Sequence, residues 1–269
     1  MERVSRRNAH EYGRPRGGVA TQRTANPCTG VRFPPRPPNY RQAKHCRKGN
    51  LMIDFVQLRR NMIESQLRPC DVNDVPLLKA MEVVPRELFV PPGREAFAYI
   101  DQNIPVSEGD ERRFMLQPMV IGRMIQALEL VSGDKVLEIG SGLGYASAIM
   151  GELGASVVAV ESDAALASSA RELLSGWPDV TVVEGPLNEG ASSRAPFDAI
   201  LVHGAVEKLP GILLDQLKDG GRLVAIENTD GVPRVILHTR AGQSFGRLEI
   251  LDVSAPVLTG FHRDSGFVF

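Results

Sequence analysis

The spacing of apolar residues predicts helices in the first part of the chain and strands in the second. Apolar side chains recur at helical intervals in Asp54–Leu67, Asp74–Met81 and Pro118–Leu130, which predicts three amphipathic helices. Asp74 is a residue type that caps helices, so the second helix is expected to begin beside it. Residues 99–117 have no regular period, and we expect irregular chain there.

From Lys135 onward, short apolar runs alternate with helical patterns. Runs of this length are typical of buried parallel strands. The alternation predicts a doubly wound, mostly parallel α/β sheet with an N-terminal helical extension, in which ligands bind at the carboxyl ends of the strands. The predicted strands are Lys135–Ile139, Ser156–Val160, Val180–Val183, Phe197–Val202 and Arg222–Ile226, followed by an antiparallel pair, Arg234–Thr239 and Arg247–Val253. The predicted helices between them are Leu143–Leu153, Ala164–Leu174 and Leu209–Leu217.

Basic residues are concentrated at the start of the chain. The protein has 269 residues and a net charge of −1, but residues 1–51 contain 12 Lys+Arg, two acidic residues and six prolines. A segment with so few aliphatic residues cannot offset its ordering entropy, so we expect a disordered tail. Met52 stands directly before the first periodic segment, which favours a misassigned start over a transit peptide or a nucleic-acid-binding arm. The expected domains are this tail, a helical region on the substrate side over 52–134, and a cofactor-binding core over 135–269.

The composition argues against several classes of protein. No apolar run reaches 18 residues, so we expect no membrane-spanning helix. The three cysteines, Cys28, Cys46 and Cys70, have neither a disulfide framework nor zinc spacing, so we expect no metal and a reducing, cytoplasmic location. The near-neutral charge gives no support for nucleic-acid binding. We expect a monomer that binds neither membrane nor nucleic acid.

One stretch has the form of a ligand-binding turn between a strand and a helix. The predicted strand Lys135–Ile139 is followed by glycines with GxGxG spacing, and Glu138 lies two residues before the first of them. The dinucleotide fingerprint GxGxxG needs glycine where this chain has Tyr145. An acid beside a pyrophosphate would be unfavourable, whereas it suits the sulfonium and ammonium groups of S-adenosylmethionine. The expected cofactor-binding residues here are Glu138, Gly140, Ser141, Gly142 and Gly144.

Two further acids follow the next two predicted strands. Glu161 lies 21 positions after Gly140, near the spacing of about 20 expected for an acid that accepts hydrogen bonds from a ribose diol. Glu184 can accept a hydrogen bond from an adenine amino group, and Gly185 leaves space for the ring. Each acid taken alone is also compatible with a solvated strand end. Because these acids are expected at the same edge of the sheet, together they favour a cofactor site. This site would include Ser162.

Several stretches outside the glycine turn match a known family. They are Ala80–Met81, Val84–Pro91, Ala98–Asp101, Ile104–Pro105, Gln117–Pro118 with Arg123–Met124, and Pro196–Ile200, together with Val136–Tyr145. Over about residues 52–269 the chain resembles the protein-L-isoaspartate O-methyltransferases. The resemblance implies a methyltransferase sheet, S-adenosylmethionine as cofactor, and carboxyl methylation of abnormal aspartyl residues in aged proteins. A damaged protein or peptide is therefore the expected partner.

The chain departs from this family at one important position. The family has a serine or threonine just before the residue-plus-Pro pair, and its hydroxyl contacts the substrate carboxylate. Here Leu116 occupies the serine position and Phe114 the threonine position. A carboxylate is already ionised at pH 7, so its methylation needs positioning more than a base, and we expect a weak isoaspartyl methyltransferase. The candidate substrate-binding residues are Leu116, Gln117 and His203.

His203 follows the fourth predicted strand, where the family usually has small residues. It is a candidate general base for a hydroxyl or amine acceptor, and the alternative is a loop histidine held by backbone hydrogen bonds. The charged run Asp110–Arg113 is interpreted as a solvated loop rather than a substrate clamp. Two other functions stay open: a methyltransferase with a different, less polar acceptor, and a non-catalytic protein that binds S-adenosylmethionine or S-adenosylhomocysteine.

Overall fold

Three short helices form the N-terminal region. The computed structural model describes residues 53–109, 112–228 and 231–263, so the predicted tail over residues 1–51 lies outside the described residues. The helices are α1 (Phe55–Met62, continued by a π-helical turn, Ile63–Leu67), α2 (Val75–Val83) and α3 (Pro118–Ala127). Asp54 and Asp74 cap α1 and α2, since their carboxylates accept from the amides of Gln57 and Leu77 at 3.0 and 2.7 Å. The three predicted helices are confirmed, with the third ending earlier than expected.

The segment predicted to be irregular contains a short hairpin. We call residues 104–109 and 112–117 the strap. It contains β1 (Ile104–Pro105) and β2 (Phe114–Met115), which pair antiparallel. The amide of Val106 donates to the carbonyl of Arg113 at 2.9 Å, which extends this pairing by one bond. A two-residue strand gives no readable period, which is why the sequence did not predict it.

A seven-stranded sheet forms the rest of the fold. Its strands are β3 (Lys135–Ile139), β4 (Ser156–Glu161), β5 (Val180–Glu184), β6 (Phe197–Val206), β7 (Leu217–Glu227), β8 (Arg234–Ala241) and β9 (Ser244–Asp252). The helices between them are α4 (Tyr145–Glu152), α5 (Ala164–Leu173) and α6 (Gly211–Asp215). The strand order is β5-β4-β3-β6-β7-β8-β9, with parallel pairing from β5 to β7 and antiparallel pairing from β7 to β9. The predicted doubly wound, mostly parallel sheet is confirmed.

The order of the strands places a switch point between β3 and β6. From β3 the chain moves outward to β4 and β5, then returns to the other side of β3 with β6 and continues to β7. Ligands of doubly wound folds bind in the crevice at such a switch point, outside the carboxyl ends of the strands. Glu138 on β3 and His203 on β6 therefore lie where the fold class places a ligand.

Several predicted elements have different lengths in the structure, among them β6, α6 and β7. β6 continues to Val206 because Ala205 and Val206 pair with β7 after an irregularity in register that follows Leu201. His203 is consequently inside a strand. The helix predicted over Leu209–Leu217 is shorter, Gly211–Asp215, because Leu217 already pairs with Phe197 as the first residue of β7.

Both faces of the sheet are covered, and the side chains of β3 show how. Val136 packs in the cluster that includes the N-terminal helices, α4 and α5, whereas Leu137 and Ile139 pack on the opposite face with α6. Glu138 has the same orientation as Val136, so its carboxylate points toward the layer of α3 and α4. Within the described ranges, no helix is long and apolar enough to cross a bilayer.

Candidate active site

The glycine turn after β3 adopts a backbone that side chains do not favour. Gly140, Gly142 and Gly144 have φ values of +75°, +56° and +93°. A Cβ on Gly144 would also lie 2.5 Å from the Cδ1 atom of Leu174. The amides of Gly140 and Ser141 donate to the carbonyl of Val160 at 2.9 and 3.3 Å, which fixes the turn against β4. The GxGxG spacing is thus a requirement of this backbone.

Glu138 lies under the glycine turn and is fully buried. Its carboxylate accepts hydrogen bonds from the hydroxyl of Ser147 on α4 and from Nδ1 of His203, the latter at 2.8 Å. An ionised carboxylate only accepts, so Nδ1 of His203 carries a hydrogen in this arrangement. The acid expected beside the cofactor is therefore already bound to two side chains of the protein.

His203 is 4% exposed and lies in β6, so the interpretation of a loop histidine held by backbone bonds is wrong. Its Nδ1 is bound to Glu138, and its Nε2 lies 3.5 Å from the amide nitrogen of Leu116, which is at the long limit of a hydrogen bond. The sequence could not reveal the pair with Glu138, because the two residues are 65 positions apart and meet only through the pairing of β3 with β6.

Glu161 ends β4 and is fully buried beside the glycine turn. It accepts from the amides of Gly142, Ser162 and Asp163 at 2.8, 2.8 and 3.1 Å. It also forms an ion pair with Nε of Arg113 at 3.1 Å. Three of these four donors bind Oε1, and only the amide of Gly142 binds Oε2, so Oε2 keeps one acceptor position.

Arg113 therefore corrects the interpretation of Asp110–Arg113 as a solvated loop. Its side chain is 5% exposed, and its Nη2 donates to the hydroxyl of Ser162 at 2.7 Å. Arg112 beside it is exposed and makes no hydrogen bond or ion pair with a described residue. Residues 110 and 111 of the run lie outside the described residues.

Glu184 and Gly185 occupy the next strand end, as expected from the sequence. Glu184 is exposed and lies opposite Glu161 in the register of β4 and β5. A Cβ on Gly185 would meet no atom within 4 Å, so local packing does not require glycine there. Gln117 precedes α3, and its backbone amide donates to the side-chain oxygen of Asn103 at 3.0 Å.

Two small crevices open beside these residues. The first is lined by Phe89, Val106, Phe114, Met115, Ser141, Gly142, Leu143, Tyr145 and His203. The second is lined by Arg112, Phe114, Leu116, His203, Gly204, Pro256, Val257 and Leu258. Phe114 and His203 line both crevices, so they stand at the boundary between the glycine turn and the second crevice.

Arg86 holds the strap in place through its buried guanidinium. The sequence analysis identified this residue only as part of the family match over Val84–Pro91. This arginine is fully buried, and it donates to the carbonyls of Ala98 and Leu116, each at 2.7 Å. Its guanidinium lies 4.7 Å from the centroid of the Tyr145 ring, a cation–π contact. Burial lowers the pKa of Arg86 and raises that of the Tyr145 hydroxyl.

The residues around the first crevice fit S-adenosylmethionine. The hydroxyl of Ser141 is buried in the turn without a hydrogen-bond partner among the described residues, so it is available to a polar ligand. The glycine turn allows a ligand to approach the backbone closely. Glu161 fits the ribose once Arg113, which covers Oε1 of this fully buried carboxylate, moves away.

A doubly wound sheet with an acid and a GxGxG turn after β3, and a second acid at the end of β4, defines the class of S-adenosylmethionine-dependent methyltransferases. Comparisons with known proteins give the family. The family model "Protein-L-isoaspartate(D-aspartate) O-methyltransferase (PCMT)" matches residues 58–243. The chain therefore belongs to the protein-L-isoaspartate O-methyltransferase family.

Individual relatives agree with this assignment. Protein-L-isoaspartate O-methyltransferase 2 of Shewanella sediminis is 36% identical over 79% of this chain and 87% of its own length. Protein-L-isoaspartate O-methyltransferase of Methanoculleus marisnigri is 43% identical over 62% of this chain and 76% of its own length. A solved protein-L-isoaspartate O-methyltransferase superposes with a TM-score of 0.68 at 26% identity, covering 75% of this chain and 66% of that one. A Plasmodium falciparum structure in complex with S-adenosyl-L-homocysteine shares the fold, with a TM-score of 0.62 at 21% identity over 76% of this chain and 97% of that one.

Proposed function

We propose that this protein transfers the methyl group of S-adenosylmethionine to the carboxylate of L-isoaspartyl residues in damaged proteins. Its membership of the family supports this reaction directly. The observation that carries it within the structure is the meeting of two crevices at His203, one beside the glycine turn and one beside the position where the family contacts its substrate.

The cofactor is proposed to lie against the glycine turn. The turn from Gly140 to Gly144 would carry it, with Ser141 donating or accepting through its buried hydroxyl. Glu161 and Ser162 would bind the ribose, and Glu184 with Gly185 would lie beside the adenine. Glu138 would act on the cofactor mainly through its charge, because its oxygens already bind Ser147 and His203.

The chemistry asks little of the protein beyond positioning. S-adenosylmethionine supplies a methyl group on a sulfonium, so that the new C–O bond forms as the C–S bond breaks, its electron pair stays on sulfur, and no proton moves. The contribution of the chain is to align the acceptor oxygen and exclude water. The apolar residues Phe89, Phe114 and Met115 around the first crevice favour that exclusion.

A different acceptor is the second candidate, and one observation favours it. Leu116 offers no hydroxyl, while His203 is held through Nδ1 by Glu138, an arrangement that suits a general base acting through Nε2. Such a base would serve a hydroxyl or amine acceptor, which must lose a proton on methylation. A non-catalytic homologue that only binds the cofactor is the third reading.

One experiment separates these three functions. The protein is incubated with radiolabelled S-adenosylmethionine and either an isoaspartyl peptide or its normal aspartyl twin. The proposed function requires label in the isoaspartyl peptide alone. Label in neither peptide, with cofactor binding intact by calorimetry, would reject the repair reaction and favour the other two functions.

We also propose a cytoplasmic monomer with the three regions expected from the sequence. The exposed, unpaired Cys70 suits a reducing compartment. A damaged protein presents its isoaspartyl residue on a flexible segment, which one chain with a crevice at the sheet edge can accept. Sedimentation of the purified protein tests the oligomeric state.

A further inference from the structure

We propose that Arg112 and His203 together hold the carboxylate of the methyl acceptor, in place of the hydroxyl that Leu116 lacks. This inference rests on the proposed function and names the residues that select its substrate. It starts from the second crevice, in which Leu116, Pro256, Val257 and Leu258 provide an apolar wall. Arg112 and His203 are the side chains in that lining with nitrogen donors.

The position of His203 is fixed by its partners. Nδ1 is bound to Glu138 at 2.8 Å, and Glu138 is itself held by Ser147. This leaves Nε2, whose contact with the amide of Leu116 is long at 3.5 Å, as the nitrogen that can bind an acceptor. When both ring nitrogens carry a hydrogen, Nε2–H can donate to an anionic acceptor. The acceptor oxygen would then lie beside the crevice of the glycine turn.

The guanidinium of Arg112 is available to bind a ligand, whereas that of Arg113 is not. Arg113 is buried on Glu161, whereas Arg112 is exposed, lines the second crevice and has no partner among the described residues. A guanidinium binds a carboxylate through two parallel hydrogen bonds, which neither an amide nor a hydroxyl can do. Arg112 at the opening and His203 at the inner end can therefore bind one carboxylate between them.

The arrangement also predicts selectivity. A crevice with an apolar wall, a guanidinium and a second nitrogen donor favours an anion over a neutral isostere of the same shape, because the neutral group leaves the guanidinium without a charged partner. A free carboxylate should therefore be preferred over the corresponding carboxamide. Methylation neutralises the carboxylate, so the ester product should bind more weakly and leave.

The test measures binding without turnover. Protein loaded with S-adenosylhomocysteine is titrated calorimetrically with an isoaspartyl peptide and with its counterpart whose free carboxylate is a carboxamide. The wild type should bind the carboxylate peptide about fivefold to tenfold more tightly. Arg112→Gln should remove most of this preference, and Arg112→Lys should keep part of it. Arg194→Gln, which changes an exposed arginine outside both crevices, should behave as the wild type.

The role of His203 is tested by labelled methyl transfer to the isoaspartyl peptide. His203→Gln keeps a nitrogen donor without a base, so it should keep kcat/KM within about fivefold, whereas His203→Leu should lower it about thirtyfold or more. Cofactor affinity is measured for both variants by calorimetry, and the rates are compared at saturating S-adenosylmethionine, because His203 also lines the first crevice. Equal losses in both variants would indicate a base and overturn the donor role.

The outcomes distinguish this inference from the proposed function. Methylation of the isoaspartyl peptide with an unchanged charge preference in Arg112→Gln would overturn the inference and leave the function standing. A charge preference that depends on Arg112, without methylation by the wild type, would support the carboxylate site and overturn the repair reaction.

Discussion

The glycine turn and the strap face each other across the first crevice, and they are held in place by different means. The turn is fixed by main-chain hydrogen bonds to β4 and by three glycines whose backbone conformation is unusual. The strap has only a two-residue ladder of its own and is tied to the domain by side chains, chiefly Arg113 on Glu161 and Arg86 on the carbonyl of Leu116. The glycine turn, one wall of the first crevice, is thus held directly by the sheet. The strap, the other wall, is attached through a few side-chain contacts.

The largest effect is expected from changing the turn itself. Gly142 has a φ of +56°, and a Cβ there would lie 3.4 Å from Val106 on the strap. Gly142→Val should strain the backbone and fill the space between the walls, raising the Kd for S-adenosylmethionine at least about a hundredfold. Calorimetric titration measures the change.

The control for this change is Gly220→Val. Gly220 has a φ of +77° and open space around its Cβ position, and it lines neither crevice. It should lose stability from the same backbone strain while keeping its cofactor affinity. Tight cofactor binding by Gly142→Val would show that the turn does not carry the cofactor.

Breaking the ion pair between Arg113 and Glu161 should lower the stability of the protein but raise its affinity for the cofactor. Arg113→Gln breaks a buried ion pair, which should cost about 2–3 kcal/mol of the free energy of unfolding, since three amides still bind Glu161. It also uncovers Oε1 of Glu161 for the ribose, so the Kd for S-adenosylmethionine should fall about threefold to tenfold. Arg171→Gln, an exposed arginine on α5, is the matched control. Weaker cofactor binding by Arg113→Gln would mean that Arg113 helps to hold the cofactor.

Restoring a hydroxyl on the strap should increase turnover at the expense of packing. Leu116 is 1% exposed, so Leu116→Ser should lower the free energy of unfolding by about 2–4 kcal/mol. On an isoaspartyl peptide it should raise the turnover rate by about tenfold, because the hydroxyl supplies one more donor. Leu128→Ser, equally buried at the end of α3, should show the stability loss alone. No change in rate would argue that the strap does not contact the acceptor.

The smallest effect is expected at Glu227, a buried carboxylate that lines neither crevice. Burial alone would raise the pKa of Glu227, but hydrogen bonds and charges from His238 and Arg247 lower it overall. Its stabilising effect is therefore present above the pKa of the unfolded chain and is lost as the pH falls through the lower folded value. Urea unfolding should show Glu227→Gln to be about 1–2 kcal/mol less stable at pH 6, and the difference should shrink as the pH falls below the pKa of the unfolded chain. A difference that did not change with pH would contradict this.

The two walls also differ in how well the sequence predicted them. The turn was predictable because a short strand, an acid and spaced glycines are local features, and glycine is required by the backbone itself. The strap was not, because Arg113 and Glu161 are 48 residues apart and are joined only when the strap folds over β4. A run of mixed charges is usually solvated, so its composition gave no signal that one arginine is buried. The environment of His203 was missed for the same reason, since its carboxylate partner comes from another strand.

The second crevice depends on residues that follow the last strand. The carbonyls of Ser254 and Pro256 accept from Asn103 and Ala205, and the amide of Leu258 donates back to Ala205 at 2.8 Å. Gly204 has no room for a Cβ, which would lie 2.6 Å from Leu258. Loss of the residues after Asp252 would therefore remove one side of that crevice, together with the Leu258 side chain that packs beside Gly140 of the glycine turn. The trimmed protein should lose its selectivity among acceptors and bind the cofactor more weakly, so an intact carboxyl-terminal region is a condition for selective methylation.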